Sequence, residues 1–571
     1  METKSDDIRL LDEHTINQIA AGEVIENPAS VVKELVENGL DAGATVLTIL
    51  VMEGGLSLLQ VMDNGMGIAE ENLPKAFLRY GTSKLAIIDD LYRLDTMGFR
   101  GEALASIAAV AKVTLSTCRN GEGMGHSIIV EGGKASEIRG EALRVGTSVK
   151  VERLFYNAPV REQFLKSTMK ETKTIVEIVE KLALSRPDVA FELLVDGRQV
   201  LKTRGNGNIS ELAGKVFSFE MGKGLKPIQG SKDGIAFHGL VGGEGQYRSN
   251  REHMHFFINR RYVRSRFLTS ALEEVYRNRI PIGKHPVAII YLEIPAYLVE
   301  VNIHPRKMEV RLSREEEIAG FLQSLVTQAL LGKDPMATEA DKTVSYPPLS
   351  LLDLPVAEGF METQGNQTQL SFERELEKGD NPFYPAEILG VFHDTYILAD
   401  VRGELLVVDQ HAAHERINFE KAEKEFQTIG FKSQMLMEPV LVNLSPSDYL
   451  KVLSHIDSIA DHGVILEAFG EDAFLIRGLP LSIHGDEAGG RFLLQLTDRL
   501  SVGDDAGVRN YLLEKASCVR SVKAGQGIGM PELKALLYGL GRCVYPHTCP
   551  HGRPTYLKYR LEDLEKLFLR S

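Results

Sequence analysis

The segment ASVVKELVENGLDAGATVLTILV, residues Ala29–Val51, decides the fold of the first part of the chain. Its apolar residues recur at the spacing of an α-helix; they are Val32, Leu35, Val36 and Leu40. Glu34 and Asn38 lie four residues apart, so one face of that helix carries both side chains. An amide oxygen can coordinate Mg²⁺, and a carboxylate can remove a proton from water. On spacing alone, a solvated polar face is the commoner explanation of such a pair.

Glycine-rich segments with polar side chains follow at two places. In LLQVMDNGMGIAEENL a strand ends at Asp63, whose carboxylate can accept a hydrogen bond from an exocyclic amine. Gly65 and Gly67 then let the backbone approach a ligand, although an Asp-Asn-Gly turn alone is a weak signal. The second segment, residues 79–107, combines glycines, hydroxyls and cations without the spacing of a Walker-type loop. Its candidate phosphate ligands are Thr82, Ser83, Lys84, Arg100 and Gly101.

Composition narrows the class of protein. The chain has 571 residues, of which 43% are hydrophobic and 25% charged, so three or more domains are expected. A formal net charge of −14 argues against bulk nucleic-acid affinity and predicts that any DNA binding is weak and salt-sensitive. Four cysteines are too few for a disulfide framework. With no signal-peptide pattern and no long apolar run, we expect a soluble cytoplasmic protein with no membrane contact.

Changes of pattern along the chain predict an α+β multidomain architecture. We expect a first domain over residues 1–205, a second over 206–332, a flexible linker over 333–385 and a carboxy-terminal domain over 386–571. The linker prediction rests on Pro, Gln, Thr and Gly without a sustained period. Within the last domain, residues 433–515 are predicted to form an inserted helical module.

A cysteine and a histidine lie two residues apart in CPHGRP, near the end of the sequence. The prolines favour an extended path, on which Cys549 and His551 point to one side. Further candidate ligands are Asp409, His411, Glu415 and Cys518. This mixture suits Zn²⁺ or Mn²⁺ with open positions for water. Taken separately, each fragment is more often structural, because cysteines and helix-start histidines are common in cores.

Four arginines fall within seven residues of FINRRYVRSRFL. They are Arg260, Arg261, Arg264 and Arg266. In an acidic protein this is the most credible patch for a DNA backbone. The alternative is a solvated strand whose arginines extend along the surface.

The order of the amino-terminal motifs resembles the GHKL ATPase superfamily. ExxxN, DNGxG, GFRGEAL and VGTSVKV follow one another, and IAAGEVIENPASVVKELVEN and GFRGEALASI resemble the MutL family of mismatch-repair ATPases over residues 8–332. The resemblance implies an α/β-sandwich ATPase domain followed by a ribosomal-S5-like α/β domain. The chain departs from the family at Gly39, where Ser is common, and at Asn27, where Arg is usual.

This resemblance implies roles for residues of the chain, with ATP and Mg²⁺ as cofactors. Glu34 would be the general base, Asn38 the Mg²⁺ ligand and Asp63 the residue that holds adenine. Thr82–Leu104 would form an ATP lid, and Lys307 in VNIHPRKMEVRL would reach the γ-phosphate. The remaining implied ATP-site residues are Gly65, Gly67, Ser83, Lys84, Arg100, Gly101 and Thr147.

The carboxy-terminal motifs resemble those of MutL proteins that carry a metal-dependent endonuclease. The pattern DQHA, two residues, Glu, four residues, Glu is complete over Asp409–Glu420, and FLR at Phe568–Arg570 fits the closing motif. SCVR stands where Ala-Cys-Arg/Lys is usual, so Cys518 remains and the basic residue moves to Arg520. The residues implied to hold Zn²⁺ and/or Mn²⁺ are Asp409, His411, Glu415, Cys549 and His551, with Cys518 close by.

Two short segments resemble peptides that bind the replicative sliding clamp. QMLMEP matches Q-x-x-[LIM]-x-P through Gln434, Met437 and Pro439. QTQLSF, residues Gln367–Phe372, matches Q-x-x-L-x-F and lies in the expected linker. Short motifs recur by chance, so both remain hypotheses.

We therefore interpret the sequence as a homodimeric, nucleoid-associated mismatch-repair protein of the MutL type. ATP is expected to close the amino-terminal domains into a clamp on DNA. The carboxy-terminal dimerisation and endonuclease domain would then nick one strand, directed by a MutS-type mismatch sensor and the sliding clamp. The alternative is an ATP-gated scaffold with a structural metal site that recruits a separate nuclease. Carboxylates beside the Cys and His ligands favour the enzyme, because closed structural zinc sites are usually built from Cys and His alone.

Overall fold

A computed structural model describes residues 25–82; 101–331 without 244, 278, 282, 296–297 and 301–310; 381–481 without 431; 483; 490–500; 506–519; and 529–567. The chain divides into two compact units. The first unit is made from Met1–Pro335, Ser433–Leu479 and Gly485–Val508, and the second from Met336–Lys432, Pro480–His484 and Arg509–Ser571. Most of the predicted linker, residues 333–380, lies outside the described residues.

Helix α1 runs over Pro28–Asp41. The Asn27 side chain accepts a hydrogen bond from the Ser30 amide at 2.9 Å, and a proline occupies the first turn, where a missing N–H is tolerated. The buried face of α1 includes the four apolar residues expected from the sequence: Val32, Leu35, Val36 and Leu40. Glu34 and Asn38 are half-buried at the margin of this face.

A nine-stranded sheet packs with α1 and carries the first core. Its strands are β1 (Val46–Met52), β2 (Leu58–Asp63), β3 (Lys112–Cys118), β4 (Gly125–Glu131), β5 (Lys134–Ala135), β6 (Arg139–Glu141), β7 (Gly146–Glu152), β8 (Ala190–Val195) and β9 (Arg198–Lys202). The order is β5–β4–β3–β7–β2–β1–β8–β9, with β6 beside β4. The helices that follow α1 here are α2 (Ala103–Val110), α3 (Pro159–Phe164) and α4 (Thr168–Ser185). Helices α1 and α4 pack against each other and against the sheet, which gives the expected α/β sandwich.

A second, five-stranded sheet follows. Its strands are β10 (Leu225–Lys232), β11 (Ile235–Gly242), β13 (Met254–Ile258), β14 (Arg261–Val263) and β16 (Ala288–Glu293), in the order β10–β11–β16–β13–β14. Short pairs are formed by β12 (Tyr247–Arg248) with β15 (His285–Pro286), and by β17 (Val299–Glu300) with β18 (Arg311–Leu312). The helices are α5 (Ile209–Val216), α6 (Phe219–Lys223), α7 (Arg266–Tyr276) and α8 (Glu315–Leu330). Helices α7 and α8 pack together over the apolar face of this sheet.

The second unit is built on a four-stranded antiparallel sheet. Its strands are β19 (Ala386–Phe392), β20 (Tyr396–Val401), β21 (Glu404–Asp409) and β25 (Tyr556–Tyr559), in that order. Its helices are α9 (Gln410–Ile429), most of α13 (Ala506–Val519), α14 (Met530–Leu540) and α15 (Leu561–Leu567). Leu406 and Val408 of β21 share a core with Ile417 of α9 and Leu537 of α14. The apolar side chains of β21 therefore anchor the strand that leads into α9 in the core of the second unit.

Residues 433–508 contain strands as well as helices, which corrects the prediction of a helical module. The elements are β22 (Ser433–Asn443), α10 (Pro446–Ser454), α11 (Ile456–Asp461), β23 (Ile465–Phe469), β24 (Ala473–Pro480) and α12 (Gly490–Arg499). The strands form a sheet in the order β22–β24–β23. Short apolar runs such as ILEAF do not distinguish a strand from a buried helix by period alone, and this ambiguity explains the error.

Glu180 of α4 is a buried carboxyl group. Burial raises the pKa of Glu180 from its ordinary 4.5 to about 8, and the negative charges of Glu177 and Asp448 act in the same direction. The Lys181 ammonium and a hydrogen bond from the Ser447 backbone oppose this rise in pKa. The folded protein therefore keeps Glu180 neutral at pH values where the unfolded chain ionises it.

Replacing Glu180 by glutamine is expected to remove a pH-dependent loss of stability. Between pH 4.5 and about 8 the folded state holds a proton that the unfolded state releases, so the wild-type free energy of unfolding falls as pH rises through this window. The variant should therefore melt several degrees above the wild type at pH 8.5, with a gap that narrows toward pH 5. Glu192→Gln, which removes the surface pair with Lys202, is the control. A melting difference that does not change with pH would contradict this expectation.

Candidate functional site

The first group of predicted site residues lies along α1. The Lys33 ammonium is 3.4 Å from Oε1 of Glu34 and 2.9 Å from Oε1 of Glu37, so it lies closer to the second carboxylate. The Glu34 side chain keeps 30% of its surface exposed. Asn38 follows one turn later on the same margin of the helix. The geometry leaves the Glu34 carboxylate accessible to water.

Asp63 ends β2 close to α1. Its Oδ1 accepts a hydrogen bond from the Gly65 amide at 2.8 Å. Burial raises the pKa of Asp63, and backbone hydrogen bonds from Gly65 and Thr147 oppose the rise. A Cβ on Gly39 would lie 2.8 Å from Leu47 Cδ2 and 3.2 Å from Asp63 Cβ. The absence of a side chain at Gly39 therefore allows α1 to lie against Asp63, which gives this departure from the family pattern a packing reason.

Gly65 and Gly67 are closely approached by the backbone of the protein itself. A Cβ on Gly65 would lie 2.8 Å from the carbonyl oxygen of Ala42, and one on Gly67 would lie 2.3 Å from that of Cys118. The two glycines thus fix the loop after Asp63 against neighbouring segments, a role that the sequence interpretation did not include.

Thr117 connects the strands around Asp63, and the sequence motifs did not identify it. Its hydroxyl donates a hydrogen bond to the Gly146 carbonyl at 3.0 Å and accepts one from the Ile68 amide at 2.9 Å. The same oxygen lies 3.1 Å from Oγ1 of Thr147. The residue is 1% exposed. A single threonine in a strand carries no sequence signal of this function, because the partners come from two other segments.

Replacing Gly146 by alanine is expected to displace Asp63, the residue predicted to hold adenine. The added Cβ would lie 2.0 Å from the Asp63 carbonyl oxygen, and the φ angle of +130° is one that essentially only glycine adopts. Overpacking and backbone strain each cost about 1–3 kcal/mol. Binding of an ATP analogue and the melting temperature should both fall. Gly133→Ala, which has a φ of +78° but no neighbour within 4 Å, is the matched control and should retain analogue binding.

The predicted ATP lid, Thr82–Leu104, is described only at its ends. A Cβ on Gly101 would lie 2.7 Å from the Gly81 carbonyl oxygen, so the two ends meet backbone to backbone. Leu104, in α2, packs half-buried against the core of the first sheet. The predicted ATP ligands outside the described residues are Ser83, Lys84, Arg100 and Lys307.

A second group of predicted site residues gathers around Glu415 of α9. Glu415 is 4% exposed, and its Oε1 lies 3.2 Å from Nε2 of His411 and 3.7 Å from Nε2 of His551. The buried Cys549 thiol donates a hydrogen bond to the same carboxylate. Three predicted metal ligands therefore meet at a fourth, the buried Glu415 carboxylate, out of the six that were predicted.

Other members of the DQHA motif fix the local backbone. Asp409 is the N-cap of α9, and its Oδ1 accepts a hydrogen bond from the Ala412 amide at 3.0 Å. The Glu420 carboxylate accepts hydrogen bonds from the amides of Val544 and Tyr545 at 2.8 and 3.1 Å. Glu420 thereby attaches α9 to the segment that precedes CPHGRP.

The CPHGRP segment turns back on itself, which corrects the expected extended path. The Cys549 amide donates a hydrogen bond to the Arg553 carbonyl at 2.8 Å, and the Gly552 amide donates to the Cys549 carbonyl at 2.9 Å. Thr548 and Pro554 pair across the turn as an isolated antiparallel bridge. The signal overlooked in the sequence was Gly552, whose φ of +81° closes the turn.

The gathered side chains fit a divalent metal ion by their chemistry. A thiol, two imidazoles and a carboxylate are ligands that Zn²⁺ accepts, and carboxylates also suit Mn²⁺. Within the part of the chain that the structure describes, no group of three or more His, Cys, Asp or Glu side chains has the geometry to hold a metal ion. Cys518 lies in α13, but its side chain is outside the described residues.

Three family models match the chain. They are the histidine kinase-, DNA gyrase B- and HSP90-like ATPase over residues 25–138, the DNA mismatch repair protein C-terminal domain over 213–331, and the MutL C-terminal dimerisation domain over 389–528. The DNA mismatch repair protein MutL of Desulforudis audaxviator is 38% identical over 573 residues, which cover 99% of this chain and 100% of the relative. The MutL of Desulforamulus reducens is 35% identical over 643 residues, with coverage of 99% and 100%.

The chain belongs to the MutL family of DNA mismatch repair proteins. A similar solved structure is the Aquifex aeolicus MutL ATPase domain complexed with ADP, 27% identical, with 55% of this chain and 100% of that chain covered and a TM-score of 0.39. As a MutL protein, the chain carries a GHKL-type ATPase domain, which implies ATP and Mg²⁺, and a dimerisation domain, which indicates a homodimer. No helix among the described residues is both long and apolar enough to cross a bilayer.

The arginines that the sequence grouped as a DNA patch have unequal surroundings in this MutL chain. Arg260 is exposed, and its charge acts on Asp188. Arg261 is half-buried, within electrostatic reach of Glu37 and Asp41 on the ATPase helix. These two arginines therefore already face carboxylates of the protein.

Arg264 and Arg266 are exposed and line a cleft of ≈ 730 Å³. The Arg251 and Lys181 side chains also line this cleft. Ser265, between the two arginines, caps α7 by accepting a hydrogen bond from the Leu268 amide. Four carboxylates also line the cleft, those of Glu177, Glu180, Glu252 and Glu273, so Arg264 and Arg266 share it with negative charge.

The predicted clamp-binding segment of this MutL chain lies in β22. Gln434 and Pro439 are exposed, and Met437 is fully exposed. The three side chains that define the motif are therefore accessible from solvent. The second predicted clamp motif, Gln367–Phe372, and the closing motif Phe568–Arg570 lie outside the described residues.

Proposed function

We propose that this MutL chain forms an ATP-dependent dimeric clamp that couples mismatch recognition to metal-dependent nicking of one DNA strand. The observation that carries the nuclease proposal is the meeting of His411, Cys549 and His551 at the Glu415 carboxylate. The two histidines each keep 35% of their side chain exposed. A phosphodiester can therefore approach the exposed side of this group.

The metal would be Zn²⁺ and/or Mn²⁺. Its proposed ligands are Asp409, His411, Glu415, Cys549 and His551, with Cys518 close by. When bound, such an ion supplies polarisation of the phosphodiester and a lower pKa for the attacking water. Glu415, buried against both histidines, would hold the two imidazoles in position, and Asp409 would keep the start of α9 rigid through its capping hydrogen bond.

At the ATP site, Glu34 would take the proton from the attacking water, and Asn38 would coordinate Mg²⁺. The exposed fraction of Glu34 and its position one turn from Asn38 support these roles. Asp63 would accept the hydrogen bond of the adenine amine. Lys307, on the second domain, would contact the γ-phosphate, so that ATP binding draws the two amino-terminal domains together.

The proposed partners are DNA, a second copy of the chain, a MutS-type mismatch sensor and the sliding clamp. Arg264 and Arg266 would contact the DNA backbone from their cleft, with Arg260 and Arg261 nearby. The exposure of Gln434, Met437 and Pro439 supports engagement of the clamp through β22. This assembly would operate in the cytoplasm at the nucleoid.

The alternative proposal is an ATP-gated scaffold whose metal site is structural and which recruits a separate nuclease. The burial of Cys549 and Glu415 favours it, since structural ions are enclosed. The carboxylate at the centre of the group and the exposed imidazoles favour the enzyme.

The test is nicking of supercoiled plasmid with Mn²⁺ at low salt by the wild type, Asp409→Asn and His411→Ala. Folding and dimerisation of each variant are checked by melting and sedimentation. We expect the wild type to nick and the folded variants to leave the plasmid closed. If the wild type also leaves it closed with clamp and ATP added, the scaffold proposal replaces the nuclease.

A further inference from the structure

The Arg248 side chain is buried, and its charge partners lie about two hundred residues later in the sequence. It is 2% exposed and forms an ion pair with the equally buried Asp448. Its Nη1 lies 3.5 Å from Oδ1 of Asp498 and donates a hydrogen bond to the Leu494 carbonyl at 3.4 Å. These partners lie in residues 433–479 and 485–508, which belong to the first unit and are here called the docking segment.

A second set of polar contacts joins the same two surfaces. Lys451 of α10 lies 3.3 Å from Oδ1 of Asp448 and 3.7 Å from Oε2 of Glu252. The Ser249 amide donates a hydrogen bond to Oδ2 of Asp498 at 3.0 Å. Two cations, Arg248 and Lys451, thus face three carboxylates, so each of these cations has at least two carboxylate partners.

The docking segment also contacts the ATPase domain. Helix α10 packs against α4, and Leu450 belongs to the buried apolar core of the first sheet. The Ser447 backbone donates a hydrogen bond to Glu180 of α4. Gln199 of β9 donates a hydrogen bond to Glu471 at 3.1 Å. The segment thus touches both amino-terminal domains at once.

We propose that the docking segment is an intramolecular brake, which braces the ATPase domain against the second domain and slows ATP turnover until it is released. A rigid connection between two domains opposes any change in their relative orientation. In the proposed function, ATP binding draws the two amino-terminal domains together, and a segment that joins both domains opposes this movement, so the brake rests on that proposed function. ATP binding and docking therefore compete.

The chemistry of the contact suits a reversible association. Removing Asp448 alone would leave the Arg248 charge buried without its ion-pair partner, which is strongly unfavourable. Undocking the whole segment returns both charges to water, which solvates each of them. Among the described residues, Leu450 is the one residue of the segment within the amino-terminal core, and the other contacts named above are polar. The segment can open without unfolding the domains beneath it.

Hydrogen–deuterium exchange on the full-length protein, combined with ATP turnover, tests the brake. In the wild type we expect protection of the amides in Pro446–Ser454, a helix too short to be stable unless it is docked. Arg248→Ala and Lys451→Ala should lose this protection and raise ATP turnover several-fold. Arg277→Ala, which removes an exposed arginine paired with Glu274 in the second domain, is the matched control and should change neither quantity.

A non-hydrolysable ATP analogue should lower the protection of α10 in the wild type. Undiminished protection of α1 and α9 in each variant shows that the fold is retained. An unprotected α10 in the wild type overturns docking. Release by Arg248→Ala without faster turnover overturns the brake. If neither the wild type nor any variant hydrolyses ATP, both the assigned ATP site and the brake are wrong. The amide protection of α10 then still shows whether the segment is docked.

Discussion

Glu34→Gln is expected to lower kcat for ATP hydrolysis by about 10²–10⁴-fold, the usual contribution of a positioned general base. ATP affinity should change little, because the substitution keeps the size and polarity of the side chain and leaves Asp63 in place. The Lys33 ammonium lies 2.9 Å from Glu37, so it retains a carboxylate partner in the variant. Turnover is measured by phosphate release and affinity by titration with a fluorescent ATP analogue.

Glu37→Gln is the matched control for this prediction. It lies on the same helix, is also paired with Lys33, and removes the same charge. We expect it to retain turnover close to that of the wild type. Equal losses in both variants would indicate that the charge of the helix matters rather than a base at Glu34. Undiminished turnover in Glu34→Gln would remove Glu34 from its assigned role.

Glu415→Gln is expected to reduce Mn²⁺-dependent nicking by at least about 100-fold, since even loss of a residue behind the ligands of a metal site often costs 10–100-fold. The carboxylate contacts His411, His551 and Cys549, so the amide disturbs three proposed ligands together. Nicking is measured with supercoiled plasmid, and bound metal is measured on the same sample by mass spectrometry.

Glu404→Gln provides the control in the same unit. Glu404 of β21 pairs with Lys558 of β25 and with Arg560, and the substitution removes a carboxylate without touching the proposed metal ligands. We expect it to nick like the wild type. If Glu415→Gln loses metal and unfolds while the wild type shows no nicking, the metal is structural. Retention of nicking by a folded Glu415→Gln would exclude Glu415 from the site.

The sequence predicted those parts of the molecule whose signal is local. The helix that carries Glu34 and Asn38 follows from its apolar period, the strand that ends at Asp63 was also predicted, and the structure has both. Likewise, His411 and Glu415 meet because residues four apart share a helix face. Local rules are sufficient where neighbours in sequence are neighbours in space.

The remaining features depend on contacts between distant segments. The function of Thr117 depends on Ile68 and Gly146, and the packing at Gly39 depends on Asp63, so neither has a pattern of its own. The extended path predicted for CPHGRP was wrong because the prediction relied on its two prolines and overlooked the turn that Gly552 allows. Residues 433–479 and 485–508 belong to the amino-terminal unit and share a buried ion pair with it, and such a pair leaves no periodic trace in the sequence.

The discontinuous first unit also has a consequence for synthesis on the ribosome. Leu450 completes a core whose other residues lie between Ile25 and Tyr291, and α8 ends at Leu330. The 120 residues from 330 to 450, at about 5–20 residues per second, take roughly 6–24 s to translate. During that interval the nascent chain presents an uncovered apolar site and the unpaired Arg248 guanidinium. The amino-terminal domains are therefore synthesised, and can fold, before the segment that joins them leaves the ribosome.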